Sequence, residues 1–194
     1  MGPAIVVSNH VSYLDPILIG AALPRPVHFM AKEELFRYPV LRWLLPKVHA
    51  FPVRRGRPDR QAIRRALDIL ESGQVVGIFP EGTRSASGEL QDVHGGAAML
   101  ALKSGASVVP MVLVGVESAL AGGRKIPRRA PIVVRIGPPF KLLPSGQWDR
   151  EELSRASQAI RTALKNLLPT SRAGKETNKG FWGRKTYSSE GKKA

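Results

Sequence analysis

The sequence predicts an α/β fold, with one domain built on a mixed, mostly parallel sheet flanked by helices. Short apolar runs, typical of buried strands, alternate along the chain with longer segments that have a helical pattern. The chain has 194 residues, of which 43% are hydrophobic, so it can bury one sizeable core. We therefore expect one folded domain over residues 1–168, followed by a basic, disordered tail over residues 169–194.

The strands are predicted from short apolar runs. The first and the fourth bear most directly on function, because each leads straight into a turn with polar side chains. Residues 75–78 in the fourth are all apolar or glycine, which is typical of a buried strand. The six candidates are residues 4–8, 27–30, 48–53, 75–79, 108–114 and 131–136.

The helices are predicted from end signals and apolar spacing. The first follows Pro16, since proline is favoured at the first helical position and aspartate, here Asp15, at the cap before it. Pro39 interrupts a continuous second helix. In the last helix, Asp149 and Glu152 make a capping-box-like start to a one-sided apolar pattern. The five candidates are residues 16–23, 33–45, 58–71, 95–104 and 149–168.

A histidine and an aspartate stand in the turn after the first strand. An imidazole accepts a proton near neutral pH, and a nearby carboxylate fixes its tautomer and stabilises the imidazolium. His10 and Asp15 are five residues apart, so a loop must fold back to pair them. This pair is a candidate general base. The alternative is that Asp15 is only a helix cap and His10 only a hydrogen-bonded histidine at a strand end.

The turn after the fourth strand is a candidate anion site. Gly82 lets the backbone turn sharply and approach a ligand, and Arg84 would project at the carboxyl edge of the sheet. A guanidinium binds phosphate through two parallel hydrogen bonds. Glu81 has two alternative roles, either orienting Arg84 or hydrogen-bonding a substrate hydroxyl. Arg84 could also be a solvated arginine on a surface turn.

Together, these two turns resemble the lysophosphatidate acyltransferase family, whose members share an NHxxxxD block and an FPEGTRS block. Residues 9–15 and 79–85 match those blocks in the family's order. Residues 50–56 look like the family's intermediate arginine motif, and residues 108–111 like its hydrophobic fourth block. Residues 29–35 are similar to a family segment that supplies a lysine near the phosphate.

The resemblance implies an O-acyltransferase with a single-displacement mechanism. His10, held by Asp15, would take the proton from the free hydroxyl of lysophosphatidate as that oxygen attacks an acyl thioester, giving phosphatidate. The chain has no cysteine and no G-x-S-x-G motif, and Ser12 shows no sign of being a nucleophile. No cofactor is implied, since the donor, acyl-CoA or acyl carrier protein, is a co-substrate. Glycerol 3-phosphate or another lyso-lipid remains an alternative acceptor.

The resemblance also implies which residues bind the acceptor. The phosphate would be held by basic residues, namely Lys32, Arg55 and Arg84. The pocket around the glycerol would be shaped by Glu81, Gly82 and Thr83. The chain departs from the family pattern at His49, where a glycine is usual, and near His94, where a lysine is common. We expect no metal site, because no pair of histidines has H-x3-H or H-E-x-x-H spacing.

Charge is the other strong signal, because 30 basic residues against 15 acidic ones give a net charge of +15. Basic residues are attracted to anionic lipids, and tryptophan and tyrosine favour the headgroup level. The tail and residues 35–45 combine both, although a solvated tail and a core-packed helix are the alternatives. With no apolar stretch of about 20 residues to span a bilayer and no predicted signal peptide, we expect a cytoplasmic enzyme bound peripherally to the inner face of the cell membrane.

The competing class is a basic nucleic-acid-binding protein. A high positive charge and an arginine cluster are the expected footprint of such a protein, and the aromatic residues of the tail could stack on bases. However, the sequence contains no recognised nucleic-acid-binding module, and the FPEGTRS turn would have no role. Nucleic acid is therefore an unlikely partner.

Overall fold

The structure is a computed structural model that describes residues 2–54, 59–85, 90–119, 129–143 and 149–169. The strands in these ranges are β1 (Ala4–Ser8), β2 (Val27–Lys32), β3 (Ala50–Val53), β4 (Val75–Ile78), β5 (Ser107–Val114) and β6 (Val133–Ile136). The helices there are α1 (Asp15–Ala22), a 3₁₀-helix (Glu33–Arg37), α2 (Pro39–Lys47), α3 (Arg60–Glu71), α4 (Gly96–Ser104), α5 (Val116–Ala119) and α6 (Arg150–Leu167).

Within the described residues, the strands form one six-stranded sheet in the order β3-β2-β4-β1-β5-β6. The first five strands in this order run parallel, and β6 pairs antiparallel with β5. The predicted α/β class with a mixed, mostly parallel sheet is confirmed. Because β1 and β4 are neighbours, the two turns that follow them meet at the same carboxyl edge. In open α/β sheets, ligands bind at this edge.

Alternate side chains of the strands enter two cores on opposite faces of the sheet. In β1, Ile5 and Val7 join the larger core, which is covered by α3, α4 and α6. Val6 points the other way and joins the smaller core, together with Ile19 of α1. This alternation follows from the two-residue period of a strand. It places α1 on the face opposite the three larger helices.

The helix boundaries differ from the predictions at a few places. The predicted helix over residues 33–45 is divided into the 3₁₀-helix and α2, with Tyr38 between them in an extended conformation. Extended backbone is favoured there because Tyr38 precedes Pro39. The short helix α5 was not predicted. At α6, the carboxylate of Asp149 accepts a hydrogen bond from the amide of Glu152 at 2.6 Å, as the predicted cap requires.

Candidate active site

Asn9 anchors the loop that follows β1. Its side-chain amide donates to the carbonyl of Leu113 at 3.0 Å, and its side-chain oxygen accepts from the amide of Leu113 at 2.9 Å. Asn9 is buried, and Leu113 lies in the neighbouring strand β5. Two buried hydrogen bonds to the main chain of one residue fix the start of the loop relative to the sheet.

The loop folds back and pairs His10 with Asp15. Nδ1 of His10 lies 2.8 Å from Oδ2 of Asp15, which also accepts from the amides of Val11 and Ser12 at 2.7 and 2.8 Å. Asp15 is fully buried. A carboxylate can only accept, so Nδ1 is the donor and Nε2 is left as the nitrogen that can take a proton.

The expected cap position of Asp15 is wrong. Leu14 occupies the cap, with no side-chain hydrogen bond to α1, and Asp15 is the first helical residue. Its carboxylate accepts hydrogen bonds from amides of the loop before the helix, and not from amides in the first turn of the helix. The folding back that pairs Asp15 with His10 therefore also aims the carboxylate away from α1.

Two aromatic rings support the imidazole of His10. The ring of Phe79 stacks on it, with centroids 4.1 Å apart and planes 19° apart. Phe29 lies nearly parallel to Phe79 at a centroid distance of 5.7 Å. This stack comes from three different strands or the loops after them, and it restricts the rotation of the imidazole. Neither phenylalanine was a predicted site residue.

Glu81 ties the second turn to the backbone of His10. One oxygen of its buried carboxylate accepts from the amide of His10 at 2.8 Å, and the other accepts from the amide of Gln91 at 2.9 Å. The amide of Ser85 in turn donates to the carbonyl of His10 at 2.8 Å. The carboxylate of Glu81 thus binds backbone amides, where the sequence suggested Arg84 or a substrate hydroxyl.

Arg84 lies beside the loop that carries His10. Its guanidinium is 3.6 Å from the ring centroid of Tyr13, and Nη2 donates to the hydroxyl of Tyr13 at 2.9 Å. The side chains of Arg84 and Thr83 are exposed. The structure therefore places the predicted anion-binding arginine on the same edge as the predicted base.

The backbone of the second turn depends on Gly82. This residue has a φ of 71°, in the left-handed region that favours glycine, and its amide donates to the carbonyl of Phe79 at 3.0 Å. A β-carbon at Gly82 would lie 3.2 Å from the ring of His94. His94, which is near a position where a lysine is common in the family, therefore lies against the turn that carries Arg84.

The other predicted phosphate residues are less closely associated with His10. Lys32 ends β2 on the same edge, two strands from β1, and its ammonium group pairs with Glu34 at 3.3 Å. Arg55 lies outside the described residues. Its neighbour Arg54 binds Glu33 at 2.9 Å, and this hydrogen bond and ion pair raise the pKa of Arg54.

His28 and His49 form a second pair of imidazoles near the amino ends of β2 and β3, with ring centroids 4.9 Å apart. Burial, followed by the proximity of His49, lowers the pKa of His28. His49 has a φ of 57°, which explains why a glycine suits this position. Both histidines lie at the opposite edge of the sheet from His10.

Residues 1–114, more than half of the chain, match the model of a family that is described as acyltransferase. The chain belongs to the acyltransferase family. No helix among the described residues of this acyltransferase has the length and apolar character needed to cross a membrane. Those residues also contain no cluster of three or more histidine, aspartate or glutamate side chains suited to a metal ion.

Relatives of this acyltransferase have named activities. It is 32% identical over 169 residues to a 1-acyl-sn-glycerol-3-phosphate acyltransferase of Bacillus subtilis, a match that covers 84% of this chain and 80% of that protein. It is also 32% identical over 180 residues to the lyso-ornithine lipid O-acyltransferase of Pseudomonas aeruginosa, covering 84% of this chain and 68% of that protein. The chain spans only 34% of a chloroplastic 1-acyl-sn-glycerol-3-phosphate acyltransferase of Arabidopsis thaliana.

The fold has a counterpart among solved structures. The crystal structure of the 1-acyl-sn-glycerophosphate acyltransferase PlsC from Thermotoga maritima matches this acyltransferase with a TM-score of 0.64 and 26% sequence identity. The match covers 86% of this chain and 66% of the Thermotoga chain. The fold described above is therefore an architecture that a related enzyme shares.

Proposed function

We propose that this acyltransferase transfers a fatty acyl chain from an acyl thioester to the free hydroxyl of lysophosphatidate, giving phosphatidate. The observation that carries this proposal is the buried pair of His10 and Asp15, 2.8 Å apart, on the same edge as Arg84. The named activity of the Bacillus and Thermotoga relatives supports the choice of acceptor.

In the proposed mechanism, His10 is the general base and Asp15 orients it. Nε2 of His10 takes the proton of the acceptor hydroxyl while that oxygen forms a bond to the thioester carbonyl carbon. The carbon–sulfur bond then breaks, and the thiol leaves with the proton returned by the imidazolium. The carboxylate of Asp15 stabilises the imidazolium between these steps. No covalent acyl-enzyme and no cofactor take part.

The acceptor phosphate would be bound by the exposed guanidinium of Arg84, together with Lys32 and Arg55. Arg84 offers its planar fork at the same loop as the base, so a phosphate there keeps the glycerol hydroxyl near His10. Gly82 and Thr83 would shape the turn around the glycerol. Glu81 serves this site by holding its backbone, a change from the role that the family resemblance suggested.

The thioester donor and the lipid surface are the remaining partners in this proposal. Acyl-CoA carries phosphates and acyl carrier protein is acidic, so the net charge of +15 suits either donor. The same charge suits an anionic membrane, from which the acceptor would be taken. The enzyme would thus act in the cytoplasm, bound peripherally to the inner face of the cell membrane.

A different acceptor is the second candidate. The Pseudomonas relative is named for a lyso-ornithine lipid. It is as similar to this chain as the Bacillus relative is, since both are 32% identical to it. The exposed Arg84 on a glycine turn favours an acceptor with a phosphate, because a guanidinium matches phosphate geometry. Glycerol 3-phosphate would satisfy the same contact, so it belongs in the same test.

The test measures thiol release from an acyl thioester in the presence of each acceptor in turn. We expect turnover with lysophosphatidate, and we expect His10→Ala to lower it by about 10²- to 10⁴-fold, since a positioned general base contributes that much. Product formation is checked by lipid chromatography. Lyso-ornithine lipid and glycerol 3-phosphate are the comparison acceptors.

The matched control is His49→Gly, which removes an imidazole at the opposite edge of the sheet and places glycine at a φ of 57°. This variant should keep the turnover of the wild type. Equal rates for His10→Ala and the wild type would contradict the mechanism. Failure of every acceptor, together with a salt-sensitive shift of nucleic acid, would favour the competing class.

A further inference from the structure

Helix α2 presents an apolar stripe to solvent. Val40, Trp43 and Leu44 are 73%, 64% and 41% exposed, and Tyr38 just before the helix is 62% exposed. Their spacing of three and four residues puts Val40, Trp43 and Leu44 on one side of the helix. No residue of Pro39–Lys47 is buried. In a core-packed helix this stripe would face the sheet, so α2 is oriented the opposite way.

Basic side chains surround the stripe. Lys47 is one turn beyond Trp43 on the same side, with its ammonium nitrogen 3.6 Å from the indole ring centroid. Arg37 and Arg42 are exposed as well, and residues 35–47 contain no acidic residue. Exposed aromatic and aliphatic groups among cations are the composition of a helix that lies in the headgroup region of a bilayer.

Helix α2, which carries the stripe, covers the same face of the sheet as α1. The connections β1-α1-β2 and β2-α2-β3 proceed in the same direction across the sheet, so right-handed crossovers put α1 and α2 on one face. On that face α1 exposes Ile17 to 63%. Tyr13, which is 66% exposed and contacts Arg84, lies in the loop that joins His10 to α1.

We propose that this face, made of Tyr38, Val40, Trp43 and Leu44 with Ile17, docks the enzyme on an anionic lipid bilayer. The positive charge around it is complementary to anionic headgroups, and its apolar stripe would enter the acyl boundary. This inference rests on the proposed function, since a lipid acceptor would then reach His10 from the docked face. The exposed stripe specifies which side of the protein meets the membrane, whereas the net charge shows only that the protein and an anionic membrane attract each other.

The first test follows Trp43 directly. The chain has three tryptophans, so Trp148→Phe and Trp182→Phe leave Trp43 as the single reporter. Vesicles of phosphatidylglycerol and phosphatidylcholine should shift its emission to the blue, and lipids brominated on the acyl chain should quench it. Vesicles of pure phosphatidylcholine should have a smaller effect, and added salt should weaken binding. An emission spectrum that none of the vesicles changes would overturn the proposal.

The second test separates this face from general electrostatic attraction. The double variant Val40→Glu with Trp43→Glu should weaken vesicle flotation at least tenfold, with its circular dichroism unchanged because both positions are exposed. Leu143→Glu is the matched control, since Leu143 is 75% exposed and lies beside residues of the other core, and it should float like the wild type. Equal flotation of the double variant and the wild type would refute the docking face.

Activity assays distinguish a failed docking face from a failed function. The double variant should keep wild-type turnover on a short-chain lysophosphatidate dispersed in water and lose turnover on the same headgroup embedded in vesicles. If the wild type acts on neither acceptor, the proposed function fails while flotation still decides the docking face. A wild-type dimer that the double variant converts to a monomer, with vesicle binding unchanged, would assign the face to a second copy of the chain.

Discussion

At the scale of single residues, Glu81 determines how the base is presented. Its buried carboxylate accepts from the amide of His10 on one side and from the amide of Gln91 on the other. A buried carboxylate can satisfy two amide donors at once. Since the imidazole is held by Asp15 and Phe79, Glu81 adds the constraint that fixes the main chain under that ring.

Glu81→Gln tests this positioning role. The carboxamide of glutamine has only one oxygen, and its NH2 group is a donor, so one of the two backbone amides would face another donor, at a cost of about 1–3 kcal/mol in the free energy of unfolding. We expect kcat to fall because the backbone of His10 shifts, while the KM for the acceptor changes little. Urea denaturation and steady-state kinetics measure the two effects.

Glu117→Gln, an exposed change of the same kind in α5, is the control and should leave stability and kcat unaltered. A variant at Glu81 that raises KM and keeps kcat would show that this carboxylate touches the substrate. In that case the role suggested by the family resemblance would replace the one argued from the hydrogen bonds.

The sequence could predict the pairing of His10 with Asp15 but not the contacts that support it. Residue types identify an imidazole and a carboxylate as chemical groups, and their short separation limits how a loop can join them. The partners of Glu81 and Asn9 are backbone amides and carbonyls, which every residue has. No side-chain pattern marks which of them will be used, so these roles appear only in the folded chain.

At the scale of elements, β4 supports the site because one of its residues is a glycine. A β-carbon on Gly77 would overlap Cε1 of Phe29 and lie 2.8 Å from Cγ1 of Val27. The absence of a side chain on Gly77 therefore makes room for the ring of Phe29, which stacks on Phe79 and through it on His10. The strand was predictable as an apolar run, but the need for glycine comes from the neighbouring strand.

Gly77→Ala should destabilise the protein by about 1–3 kcal/mol, because the methyl group overpacks a filled core. It should also lower kcat, since Phe29 can yield only by moving against Phe79. Gly20→Ala in α1 is the control. Apart from the adjacent residues and the backbone of its own helix, no atom lies within 4 Å of the new β-carbon, and alanine in a helix is worth up to about 1 kcal/mol over glycine.

Urea denaturation of both variants gives the comparison. Wild-type stability for Gly77→Ala would mean that the Phe29 ring is free to move and does not support the site.

The helices show the same dependence on context. Pro39 marked the interruption of the predicted helix over residues 33–45, but no sequence signal marked the 3₁₀ geometry before it.

At the scale of the whole molecule, the described residues form one sheet with a core on each face. The last helix contributes Ile160 and Leu164, both fully buried, to the larger core. Residues 170–194 lie outside the described residues and carry seven basic and two acidic side chains. The division into a domain over residues 1–168 and a tail after it therefore stays a prediction. Thermal stability and salt-dependent vesicle binding test the two parts separately.

A chain that ends at Pro169 should unfold like the full chain, with a change in Tm below about 2 °C, which corresponds to less than about 1 kcal/mol for a protein of this size. Its turnover on dispersed short-chain lysophosphatidate should also be unchanged, because His10, Asp15 and Arg84 remain. Binding to anionic vesicles should weaken at low salt, since each basic residue near such a surface is worth about 1 kcal/mol. The difference from the full chain should vanish at high salt, where charge is screened. Calorimetry and salt-titrated flotation of the two chains supply both readings, and a large loss of Tm would mean that residues 170–194 pack against the domain.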